Sequence, residues 1–298
     1  MRLTFHAPSL ALATRPALLG AVLMIGAALL FAVMAVATRE AAGAMGAAQL
    51  VVIRFAIMGV GTLVWRGPGA GEIRPKNLRL LLLRGIFGGA AVLLYFVALG
   101  RARDAGTAAL LQYTSPIFTT LFGWMLLRER PSGRLLVGGV VAFLGVLLVL
   151  RTPAGIEVGM GELAAVASAV IAGVAVVTIR AARAWDNAAT ILFAFSVGGL
   201  LIALPFALAD WRAADLSTWV LAAVIGVSSF FAQLMMTWAF GLVTAGQGAI
   251  FQLLTPIFTF ALGVPLLGER VSPSAAAGAL LTVAAIGWAA LPRRPRKA

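Results

Sequence analysis

Residues 105–130, AGTAALLQYTSPIFTTLFGWMLLRER, lie without a gap on residues 245–270, AGQGAIFQLLTPIFTFALGVPLLGER, and thirteen of the 26 positions are identical. Shared alanine and leucine follow from an apolar composition. The pairs Gln112/Gln252, Pro116/Pro256, Thr119/Thr259 and Glu129-Arg130/Glu269-Arg270 do not. The match extends upstream, where Gly85 and Gly100 stand 15 apart, as do Gly226 and Gly241. Self-similarity at this distance marks an internal duplication.

The duplicated unit is membranous. The chain has 298 residues, 62% hydrophobic and 11% charged, against about 45–50% apolar and about 25% charged for a soluble domain. Low-charge runs predict ten spans, near residues 18–37, 47–65, 78–100, 105–127, 134–150, 159–179, 189–208, 218–240, 245–267 and 274–291. The expected fold is an all-α integral membrane protein of ten transmembrane helices in two five-helix repeats, residues 18–150 and 159–291. A 1–17 N-terminal tail precedes them and a basic 292–298 tail follows. An odd number of spans per repeat makes the second copy enter the bilayer with opposite polarity. That is the inverted arrangement of many secondary transporters, whose solute sites lie near the midplane between the halves.

Charge sets the expected orientation. The N-terminal tail, the loops after even-numbered spans and the C-terminal tail hold fifteen lysines and arginines; the opposite loops hold six. Both termini are therefore expected in the cytoplasm. The net charge of +13 is dispersed between apolar runs and gathers into no nucleic-acid-binding patch. The chain has no cysteine, and its one histidine, His6, lies in the tail. Thiolate chemistry, a histidine acid/base centre and a multi-histidine metal site are thus ruled out. Neither Lys76 nor Lys297 follows a P-loop, so no ATPase, cofactor or metal is expected. The expected partners are a small-molecule solute and the lipid bilayer, with oligomeric state left open.

Candidate site residues follow from depth and periodicity. Pro116 and Pro256 fall about 17 Å into their spans, near the centre of a ~30 Å core, and each is expected to kink its helix. Around them Gln112, Ser115 and Thr119 share one helix face, and Gln252, Thr255 and Thr259 repeat it. Such a stripe faces either a solute cavity or a neighbouring helix that it glues. Tyr95 in span 3, Gln233, Met235 and Trp238 in span 8, and Phe251 in span 9 complete the candidate pocket. Trp238 equally suits an interfacial aromatic belt. No acidic residue occupies a span centre, which argues against a buried proton relay. Arg54, Glu129 and Glu269 are read as structural charges.

The ten spans in five-plus-five repeats, the Arg54-Phe55 pair, and the terminal segments LLRERPSGRLLVGG and LLGERVSPSAAAGALL resemble the EamA-type members of the drug/metabolite transporter superfamily. The resemblance covers nearly the whole chain. It implies a carrier of small metabolites and not an enzyme, in a family that includes amino acid exporters of the YddG type. An uncharged central cavity lined by aromatic and amide groups, opened to each face by alternating access, suits aromatic or other neutral amino acids, exported from a bacterial inner membrane. Multidrug or organic-cation efflux is the alternative carrier reading, and a channel the alternative of another class.

Overall fold

The computed structural model describes residues 15–41, 43–68, 71–101, 111–150, 159–267 and 273–290. Glu269, residues 1–14 and residues 291–298 lie outside them. The described residues fold into α1 (Arg15–Ala41), α2 (Ala47–Val64), α3 (Leu78–Arg101), α4 (Ser115–Leu127), α5 (Gly133–Leu150), α6 (Met160–Ala182), α7 (Ala188–Ala209), α8 (Leu216–Ala239), α9 (Ala245–Gln252), α10 (Leu254–Leu267) and α11 (Pro273–Ala290). Eight stretches are long and apolar enough to cross a membrane, α9 and α10 counting as one, and two shorter apolar helices bring the total to ten.

Local chemistry sets the boundaries. The side chain of Asn187 accepts the Thr190 N–H at the start of α7, and Asp215 accepts that of Thr218 at the start of α8. Thr244 and Gln247 form a reciprocal capping box at the start of α9. The expected kinks are breaks. Span 9 is interrupted at Leu253, with Pro256 in the first turn of α10, and Tyr113–Thr114 form a turn ahead of α4, with Pro116 in its first turn. Proline lacks an N–H and its ring crowds the carbonyl four residues back, whereas in a first turn that N–H has no helical partner to lose. Proline alone does not cut a helix, because Pro205 and Pro265 lie inside continuous α7 and α10.

Packing runs between the halves more than within them. Helix α1 lies against α8, and α3 against α6; α2 contacts α8, and α3 contacts α7; α1 packs on α10, and α4 on α6. Each pairing becomes its partner when the two halves are exchanged. Two of the remaining pairings, α2 with α7 and α5 with α11, are their own equivalents, and α4 with α9 joins span 4 to span 9. Small residues permit these approaches. A Cβ on Gly198 of α7 would lie 2.5 Å from the Cα of Gly85 in α3, and one on Gly145 of α5 would lie 2.6 Å from the Gly278 carbonyl oxygen in α11. Helix α1 runs antiparallel to α8, as Gly20 meets Val243 while Gly26 meets Met235.

Candidate functional site

The two glutamines of the duplicated segment stand just before the helix breaks, and both carry unmet hydrogen-bonding capacity. Gln112 Oε1 and Gln252 Nε2 are buried with no hydrogen-bond partner among the described residues. An unpaired buried amide atom costs about 1–3 kcal/mol, and the same cost recurs at equivalent positions of both repeats.

Other members of the stripe are packed or satisfied internally. Thr119 is 1% exposed, and a Cβ on Gly173 of α6 would touch the Phe118 side chain and the Thr119 backbone. Ser115, Pro116, Thr255 and Pro256 are buried. The Thr259 hydroxyl donates to the Thr255 carbonyl at 2.9 Å. Met235 lies against Gly26 of α1, and Phe251 sits in the main apolar core. Trp238, half-buried near the end of α8, packs on two core clusters at once. Tyr95 is half-buried, its ring edge-on to Phe96 at 6.3 Å.

A groove of about 780 Å³ opens between α4 and α5 with α9 as its floor. Of the candidate residues it takes in Pro116; its wall otherwise uses neighbours such as Tyr113, Thr120, Ile250 and Leu253. Ile117, Leu121, Trp124 and Val140 on its rim are exposed apolar side chains. The groove therefore opens at the perimeter of the helix bundle.

The interior is not free of charge. Arg54 in α2 and Arg84 in α3 are 5% and 4% exposed, about 10 Å and about 9 Å from the starts of their helices. The Arg84 guanidinium lies 3.7 Å from the centroid of the Phe195 ring and donates from Nη2 to Gln233 Oε1 at 3.3 Å. Phe195 in turn meets Phe55 edge-on at 5.0 Å. Arg54 lies 5.6 Å from the Phe55 centroid. No carboxylate among the described residues pairs with either arginine.

Charges elsewhere tie helix ends together. Glu129, beyond the end of α4, accepts from Arg180 Nε at 2.8 Å and from the Ala245 N–H of α9 at 2.7 Å. Arg180 also donates to the Phe240 carbonyl at 3.0 Å. At the other end of the bundle Gln49, fully buried, exchanges two hydrogen bonds with the Arg212 backbone. There the Arg212 guanidinium donates to the Asp210 carboxyl and holds it below the usual carboxylate range.

A family model described as the EamA-like transporter family matches residues 18–151 and again residues 159–291. The chain belongs to that family. It is 30% identical over 271 residues to the pseudopaline exporter CntI of Pseudomonas aeruginosa, a match covering 89% of this chain and 94% of the relative. It is 27% identical to human solute carrier family 35 member G1, over 74% of this chain and 65% of the relative. A crystal structure superposes with a TM-score of 0.73 at 25% identity, covering 91% of this chain and 98% of the other. An EamA-like chain with these ten apolar helices is a multi-pass membrane transporter and not an enzyme.

Arg84, Gln49 and Arg180 are the residues of this transporter that sequence reasoning missed. Arg84 had a signal, a lone arginine inside LLLLRGIFGG. By sequence position alone, its closeness to the start of span 3 puts it at the edge of the span.

Proposed function

We propose that this chain exports small amphipathic metabolites across a bacterial inner membrane by alternating access, both termini being cytoplasmic. Aromatic or other neutral amino acids, the YddG-type solutes, are the first to test. The observation that carries the reading is the exchange symmetry of helix pairing, together with a fourth span broken ahead of a proline in each half. Two halves related in this way, with five spans each, support an inverted repeat. Such a repeat switches a midplane site from one face to the other by exchanging the conformations of its halves. Export is favoured by similarity to a protein named as an exporter of pseudopaline.

Purified chain in liposomes preloaded with unlabelled amino acid is expected to take up labelled amino acid by counterflow, with no proton or sodium gradient imposed. Flux that rises linearly with concentration and shows no counterflow identifies a channel and defeats the carrier reading. For the orientation, a single cysteine at Ala213 is expected to react with an impermeant maleimide from outside cells. Reaction only after membrane disruption reverses the topology.

A further inference from the structure

Arg54 and Arg84 place two guanidinium groups in the membrane interior with almost nothing to compensate them. Each carries five N–H donors. Among the described residues these donors meet one protein acceptor, Gln233 Oε1, and the Nε atoms of both arginines are buried without a partner. Phe55 and Phe195, in edge-on contact, gather the two like charges into one cluster, where they repel. Taking such ions out of water is costly, and apolar residues of similar size fill the same space without that cost. Contact with Phe195 and Phe55 offsets part of it. That contact also orients Arg84. With its central carbon over the Phe195 ring and one N–H given to Gln233, the guanidinium has further N–H groups to donate, and a carboxylate is the planar acceptor that matches them.

We propose that Arg54 and Arg84, with Gln233 alongside, bind the carboxylate of the transported solute, and that this solute carries a net negative charge. The proposal rests on the carrier reading above, the export of small amphipathic metabolites, and puts acidic metabolites in place of neutral amino acids as its solute class. It also sets organic cations aside, since a cation brought to this site meets two like charges and no acid. An anion between the arginines supplies the missing acceptors and relieves their repulsion at once.

The test measures thermal unfolding of the full chain in detergent with L-malate, L-glutamate, L-phenylalanine or tetraphenylphosphonium, and counterflow of the same solutes in liposomes. Malate and glutamate are expected to raise the melting temperature, and phenylalanine and tetraphenylphosphonium to leave it unchanged. Arg84→Gln and Arg54→Gln are each expected to weaken the anion response about tenfold to a hundredfold. Both are also expected to raise the melting temperature of the solute-free protein, because each removes an uncompensated buried charge. A scaffolding arginine behaves oppositely: its replacement lowers the solute-free melting temperature and leaves the anion response intact, which overturns the proposal. Absence of any anion response in the unaltered protein overturns it without recourse to a variant. Counterflow of phenylalanine or the cation without an anion response sinks the anion site and leaves the carrier standing. An anion response sensitive to both arginines, with no counterflow of any solute, sinks the carrier and leaves the site.

Discussion

Glu129→Gln is expected to open the end of the bundle where α4, α6 and α9 meet. The carboxylate joins all three: one oxygen takes the Arg180 Nε–H and the other the Ala245 N–H. The side chains of Arg180 and Glu129 are only 19% and 10% exposed, so solvent screens the pair weakly. Glutamine keeps the shape but has a single acceptor oxygen, and its NH2 faces a donor that then has no acceptor. A loss of about 2–3 kcal/mol from this closure is expected, which moves an open–closed equilibrium by about 30- to 150-fold. A cysteine placed at Thr120 reads the change directly in a chain that has no other thiol. Its alkylation rate should rise in the Glu129→Gln background by a comparable factor while that of a cysteine at Ala213 stays constant. Equal rates at Thr120 in both backgrounds refute the latch.

The second large effect is expected at the paired glutamines. Gln112→Leu and Gln252→Leu each remove an amide with one buried atom that has no partner among the described residues, so unfolding in detergent should move up or stay level. If those amides meet the solute, its affinity should fall by roughly 1–3 kcal/mol in each variant. Pro116→Ala and Pro256→Ala act differently. They restore an N–H opposite the carbonyls of Gln112 and Gln252 and favour a continuous helix, which should slow transport more than it weakens binding. A fall in stability at both glutamines with affinity unchanged assigns them to helix bridging and removes the solute from spans 4 and 9.

The spans and the duplication were legible because both depend on quantities that a linear chain displays: length, apolar content and spacing. The family match falls on the same two stretches. Partners across the bundle were less legible. Periodicity places Thr119 on one face with Gln112, but it says nothing of Gly173, the residue of α6 that comes up against that part of α4. Met235 reads as a pocket residue until α1 brings Gly26 against it. Breaks were read as kinks because Pro116, Pro205, Pro256 and Pro265 look alike along the chain, while only two of them stand at a helix start. Arg84 shows the same limit for charge. Its depth along the axis is short, yet α7 and α8 cover it with Phe195 and Gln233.

That no carboxylate among the described residues pairs with Arg54 or Arg84 has an electrical consequence. A carrier whose site holds two positive charges when empty, and fewer when an anion is seated, moves more charge on its return stroke than on its delivery stroke. Each elementary charge crossing the full field is worth about 2.3 kcal/mol per 100 mV. An inside-negative membrane voltage therefore draws the vacant site toward the cytoplasm, where it reloads. The outward stroke, with its charge partly cancelled, feels that voltage less. Voltage enters such a cycle as a spring acting on the empty carrier, and it biases the cycle toward export.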